Sequence, residues 1–330
     1  MGGFAFTAVA TWTGRTPVQG MPLLLLCIVW LLGRCAMIFL KPGWLAMVLD
    51  SSYLVLMIVI LVRELPLGHN RRNYIIAAIL GLLFVFNTIF HMEVNGTFAF
   101  GGAGMRGAII TVILMVSLIG DRIIPTLSGN WLKARNEKDA LPATVVKLDL
   151  ASLLSTVLVL VCFVLIPYST ISGVVLIIAA LLHTFRLNRW QTRKIAEEPL
   201  LLILHVAYAW IPIGFLLLAS SSFLLVSPSV GLHALTIGAI TSMIMGVSIR
   251  AGKGHSGRAL TSDTKTNLTF ILITLAAATR VVSALLPFDW LLQLSAIFWL
   301  LAFLAFLVVV VPILTMPSKD TAALLTPSDI

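Results

Sequence analysis

Long apolar runs separated by short polar clusters organise this chain. Runs of spanning length fall at 21–40, 43–62, 74–93, 100–120, 144–166, 169–187, 199–226, 229–250, 267–286 and 290–313. The hydrocarbon of a bilayer takes roughly 20 helical residues to cross. Backbone groups inside it must bond within their own segment, so each run predicts a membrane helix. Gly, Pro and charged residues mark most of the breaks: "KPG", "ELPLGHNRRN", "SGNWLKARNEKDALP", "RLNRWQTRKIAEEP", "VSPS" and "LPFD". An earlier stretch, "GGFAFTAVA", is too short to cross and lacks the basic start of a signal peptide, so it reads as the inner end of a helix running inward. The predicted fold is all-α, a polytopic transmembrane helix bundle with ten full spans plus a partial first one. No long linker interrupts it, which predicts one integral membrane domain over 1–330 ending in a short cytoplasmic tail, 314–330.

Lysine and arginine orient these spans. Seventeen of the 22 lie in alternate loops or at the tail: Arg15; Arg63, Arg71 and Arg72; Arg122, Lys133, Arg135 and Lys138; Arg186, Arg189, Arg193 and Lys194; Arg250, Lys253, Arg258 and Lys265; and Lys319. By the positive-inside rule these loops, and with them the carboxyl terminus, are cytoplasmic. Composition agrees with a membrane class: 59% of residues are hydrophobic, 11% are charged, and mean hydropathy is +1.06. Soluble domains carry about 25% charged residues. The net charge of +9 therefore belongs to cytoplasmic loops, and no nucleic-acid partner is inferred from it. Cys27, Cys35 and Cys162 all lie in apolar runs and form neither a disulfide framework nor a metal cluster.

Orientation gives each histidine a depth. His91 and His233 fall at outer ends of spans, His183 and His205 near inner ends, and His69 and His255 in cytoplasmic loops. Ionisable groups inside a membrane are functional candidates, and neutral imidazole ligates haem iron and copper. The plain alternative for each is a hydrogen bond to a neighbouring helix. His91 and His233 are expected near each other on the outer side, with at least one of them binding haem or metal. His183 and His205, on consecutive antiparallel helices, are expected to face each other, as an interhelical contact or a weaker metal site.

Arg106 and Arg280 also lie in outer halves of spans, where an unpaired guanidinium costs upward of ~2.5 kcal/mol. Asp50 is one available anion and the propionates of a haem are another; an Asp50–Arg pair that only locks helices together is the simpler alternative. In the helix near 233–250, Ala234, Gly238, Ser242 and Gly246 form a stripe of small residues suited to close packing. His233 beside that stripe is expected to point into the bundle. The basic end, Arg250 to Arg258, is expected to anchor the cytoplasmic side.

Several stretches together resemble the NnrS family, membrane proteins linked to bacterial responses to nitric oxide. They are "TAVATWTGRTPVQG" with "WLLGR", then "NRRNY", the "FH" of 90–91, and "HALTIGAI" running on to "RAGKGHSGR". Their order and spacing cover nearly the whole chain. NnrS-like proteins have roughly twelve helices and hold haem and copper. The resemblance implies that His91, His183, His205 and His233 supply the ligands, in a multi-pass protein of the bacterial inner membrane. Two departures stand out. NnrS-like chains usually carry a helix and a half with an "HEM"-type histidine motif before the "TAVxxWTG" point, where this sequence begins. "GDRIIPTLSGN" also replaces an expected "GRxIPxFT", leaving Asp121 without a family counterpart.

The resemblance implies a haem and copper protein that protects against nitric oxide and nitrosative stress. One alternative is a haem-copper-oxidase-like enzyme processing nitric oxide or oxygen, with an unidentified redox partner. Another is a secondary transporter without haem, in which Pro212, Asp50, Arg106 and Arg280 line a path. No hydrolase-type nucleophile set, phosphate loop or cysteine-rich metal motif is visible.

Overall fold

The computed structural model describes residues 18–64, 74–137, 142, 145–286 and 288–316. Among them are ten helices long and apolar enough to cross a membrane. They are α1 (Met21–Phe39), α2 (Trp44–Glu64), α3 (Tyr74–Val94), α4 (Ala103–Ala134), α5 (Val146–Leu165), α6 (Thr170–Asn188), α7 (Pro199–Ser222), α8 (Pro228–His255), α9 (Thr264–Leu285) and α10 (Asp289–Thr315). Each predicted run is one of these helices. No strand occurs among the described residues, so the all-α membrane architecture holds. The partial first segment, His69 and the tail beyond Met316 lie outside the described residues.

The chain forms two compact units. The first comprises residues 1–115 and 163–165, and so contains α1–α3, the beginning of α4 and the last turn of α5. In it α1 packs on α2 and α2 on α3. The second comprises 116–162 and 166–330. Its central helix is α7: Leu204, Ala207, Tyr208, Ile211, Phe215 and Leu218 are fully buried, with α6, α8 and α9 packed around it. At the opposite extreme is α10, whose Leu300, Leu304, Leu307 and Val311 are about half exposed. An apolar side chain so placed in a span faces lipid, the solvent there.

Two spans run five or more residues past their expected ends. The fourth span does not stop at 120: α4 continues through Pro125 to Ala134. At ~1.5 Å per residue its 32 residues reach about 48 Å, well past the hydrocarbon. Proline removes one hydrogen bond, but tertiary contacts hold the extension. Leu132 is fully buried against Ile195 and Leu201, and Ser128 bonds to His205. The eighth helix likewise runs to His255, placing Lys253 and His255 on its last turn.

Within α8, residues Ala234–Thr241 form a π-helical segment. Thr241 Oγ donates to the Thr236 carbonyl and Ser242 Oγ to that of Ile237, both five residues back, in step with the wider turn. All four residues of the small stripe are buried. A β-carbon on Gly238 would stand 2.4 Å from the Trp210 ring, and one on Gly246 2.8 Å from Ile203. The stripe is thus the seam along which α8 meets α7.

Candidate functional site

In the first unit the polar centre is Asp50, on α2. Gly33 lets α1 approach: a β-carbon there would lie 3.1 Å from the Asp50 Cα. One turn of α3 brings Asn87 and His91 onto the same face. Asp50 Oδ2 accepts from Asn87 Nδ2 at 3.0 Å and from His91 Nε2 at 3.1 Å, and Oδ1 accepts from Arg34. Asn87 also donates to Ser51 Oγ at 3.1 Å. Asp50 is 7% exposed and His91 3%. Because a carboxylate only accepts, His91 carries its proton on Nε2, and no partner occupies Nδ1 among the described residues. Metal-ligating histidines are commonly oriented in this way, by a carboxylate that accepts from the ring nitrogen facing away from the metal.

This corrects the expectation for Asp50. Its partners are Arg34, Asn87 and His91, rather than Arg106 or Arg280. Arg106 needs no anion. Its Nε donates to the Phe163 carbonyl at 2.9 Å, Nη2 to that of Val164 at 3.2 Å, and Nη1 to that of Gly101. The last carbonyls of a helix lack intrahelical donors and carry the negative end of its dipole. A guanidinium at the end of α5 satisfies both deficits. The preceding turn is built for it: Gly101 and Gly102 adopt φ of 61° and 82°. They present the amides of Gly102, Ala103 and Gly104 to the Glu93 carboxylate at 2.6–3.1 Å.

In the second unit, His183 and His205 each have both ring nitrogens engaged. His183 Nε2 lies 2.9 Å from Thr156 Oγ1, and Nδ1 lies 2.7 Å from the Tyr208 hydroxyl. Thr156 donates to the Ser152 carbonyl, so it accepts from Nε2, and Tyr208 donates to Nδ1. His205 Nε2 meets Ser128 Oγ at 3.0 Å and Nδ1 meets Thr192 Oγ1 at 2.9 Å. The two imidazoles are linked through other rings: His183 to Tyr208 at 5.6 Å, Tyr208 to Trp190 at 4.5 Å, and Trp190 to His205 at 6.2 Å.

Beside this ladder is a charge centre that sequence reasoning missed. Arg186, counted there as a loop residue, is on α6 and 1% exposed. It pairs with Asp121 at 2.7 Å and Asp149 at 3.2 Å, and donates to Ser117 Oγ at 3.1 Å and the Tyr208 hydroxyl at 3.0 Å. Arg189 shares Asp149. The signal was present in "HTFR", which puts Arg186 one turn from His183, inside the bundle rather than beyond it.

His233 is placed differently from the other histidines. It ends the first α-helical turns of α8, immediately before the π segment, and is half-buried. No hydrogen bond reaches its ring among the described residues, and its charged neighbour is Arg280 of α9. The Arg280 guanidinium, half-buried in a span, also has no hydrogen bond or ion pair among the described residues. His91 belongs to the first unit, and His233 and Arg280 to the second.

No three His, Cys, Asp or Glu side chains converge as a metal site among the described residues. No curated protein and no solved structure matches the chain. One family model does, that described as NnrS protein, over residues 1–318 of the 330. With ten membrane-length helices and a family match over almost its whole length, the chain is a multi-pass membrane protein that belongs to the NnrS family.

Proposed function

We propose that this membrane protein of the nitric oxide response holds haem on its second unit, through His233 and Arg280, and protects the bacterial inner membrane against nitrosative stress. One observation carries the reading: among the described residues, a half-buried imidazole with no hydrogen-bonded partner stands beside a half-buried arginine with no anion. An arginine in a span is costly unless a negative group meets it, and haem propionates are carboxylates that guanidinium binds bidentately. A haem needs one or two axial ligands and cations for its propionates, which fits residues standing singly. Haem, when bound, supplies an iron that takes small diatomic molecules as ligands. The chain's part is to present the His233 ring, fix an anionic edge with Arg280, and keep water away with the apolar surfaces of α8 and α9.

Copper, which the resemblance also implies, fits less well. His91 offers one free nitrogen, Nδ1, oriented by Asp50, and a multidentate set is not assembled among the described residues. His183 and His205 would have to give up hydroxyl partners to ligate. Arg106 has its donors on carbonyls and positions the start of α4. A second reading, an anion transporter without haem, uses the same Arg280 as the substrate-binding group and the π segment as the break in a transport helix.

Metal and haem analysis with an optical spectrum of the purified protein decides between them. Haem bands that His233→Ala abolishes and Arg280→Gln weakens support the proposal, while His91→Ala should alter metal content. Colourless protein favours transport. Unchanged spectra in both His91→Ala and His233→Ala would make these histidines structural.

A further inference from the structure

A cavity of about 330 Å³ lies at the basic-loop end of α8 and α10. Lys253, Arg258 and Lys265 contribute its cations; Val308, Val309 and Pro312 form its apolar wall. Arg258 is held rigidly, donating to the carbonyls of Pro312 and Ile313 at 3.1 and 3.0 Å, at the carboxyl end of α10. Lys253 is 8% exposed, and its Nζ donates to the Thr261 carbonyl at 2.8 Å. The opposing charge is Asp263, 3.8 Å from Lys253 Nζ and already accepting from the Thr266 amide. Lys265, exposed, makes no ion pair among the described residues. Among the described residues, three cations thus face one engaged carboxylate.

The apolar wall continues out of the cavity. Val308 is 54% exposed, and Leu304, Leu300 and Ile297 extend the same lipid-facing track along α10. A cationic mouth at the end of a span, opening onto an apolar track toward the bilayer centre, matches the two ends of a phospholipid. Basic pockets between membrane helices bind anionic head groups in this way.

We propose that this pocket is a specific site for an anionic phospholipid, its phosphate on Lys265 and Lys253 and an acyl chain along α10. The shared chemistry is a phosphate group, so the test separates lipid from free phosphate. Full-length protein, delipidated in neutral detergent, is titrated with phosphatidylglycerol, phosphatidylcholine or inorganic phosphate and read by native mass spectrometry. Phosphatidylglycerol should form a discrete adduct at about tenfold lower concentration than phosphatidylcholine. Lys265→Glu, an exposed change that leaves the buried Lys253 and Arg258 contacts intact, should remove that preference. Arg122→Glu, the same charge change at an exposed position outside the pocket, should keep it. Equal losses in the two variants would show diffuse attraction and overturn the site. Displacement of the adduct by inorganic phosphate at matching concentration would overturn the lipid assignment.

Discussion

Asp50 and Asp263 show how differently one side chain behaves at two depths. Asp50 is buried and serves Arg34, Asn87 and His91 at once. Its replacement by Asn turns one of the two accepting oxygens into an NH2 donor, so either Arg34 or His91 loses its acceptor, a loss of about 1–3 kcal/mol, seen as a lower thermal midpoint in detergent. If His91 ligates metal, Asp50→Asn also weakens affinity about 10–100-fold; unchanged metal retention with lowered stability would assign the pair to folding alone. Asp263, outside the spans, caps α9. Partial burial opposes its charge, but the Thr266 hydrogen bonds and the charges of Lys253 and Lys265 outweigh that and hold its carboxyl below the usual range. Its contribution is therefore present above the unfolded value of about 3.9 and lost as pH falls through the lower folded one. Asp263→Ala should cost about 1 kcal/mol at pH 7, and the gap to the wild-type protein should narrow in acid unfolding below about pH 4. The sequence offered Asp50 as the anion for a buried arginine but misassigned its partner. Depth follows from hydropathy, whereas pairing depends on how α1 and α3 rotate around α2, which one sequence does not display.

At the scale of elements, glycines decide where helices touch. A β-carbon on Gly104 would sit 2.3 Å from the Phe90 amide nitrogen, and one on Gly107 2.2 Å from the Phe86 ring. Gly104 faces rigid backbone and Gly107 a ring. Gly104→Ala should therefore force α3 and α4 apart and cost about 1–3 kcal/mol, with Gly107→Ala milder because a ring can turn. Thermal unfolding of both variants checks the order. The extension of α4 makes a separate claim: Leu132→Ala should destabilise by about 2–5 kcal/mol, despite lying beyond Pro125 in a stretch that reads as a loop. An effect within the surface range of about 0.5 kcal/mol would mean the extension is not held by that cluster. The ten spans were legible because an apolar run of membrane length has one good solution. The α4 extension was not, because "SGNWLKA" is polar in composition and helical only through what Leu132 and Ser128 reach. The stripe on α8 was readable as a packing seam; the π segment inside it was not, since wide turns depend on i−5 backbone hydrogen bonds rather than on hydropathy.

For the whole molecule, the alternation of basic loops predicts an active reporter only in the cytoplasm when fused after Ile330; periplasmic activity would overturn the topology. The hydrogen bonds agree with the alternation of direction. The last turns of α1 and α3 meet the first turns of α2 at Asp50, the start of α4 meets the end of α5 at Arg106, and Arg186, near the end of α6, meets the start of α5 at Asp149. The family, too, was legible, through ordered fragments spread along the chain rather than through any single motif. Its candidate ligands were legible only as a pool of histidines; the structure divides that pool by which nitrogens are already engaged.

The Arg186 centre has a consequence for synthesis. Its participants lie on four successive helices, in the order Ser117 and Asp121, Asp149, Arg186, Tyr208. A chain made from its amino end delivers both carboxylates before the guanidinium that neutralises them, and the phenol last. Until α6 emerges, α4 and α5 carry acids with no Arg186 to meet them, so the two helices have reason to wait at the edge of the insertion machinery. The arrival of α6 supplies Arg186 and Arg189, the cations that pair with both acids. If this order governs insertion, a ribosome stalled between Asp149 and Arg186 should leave α4 and α5 still extractable from the membrane, while one stalled well past Tyr208 should not.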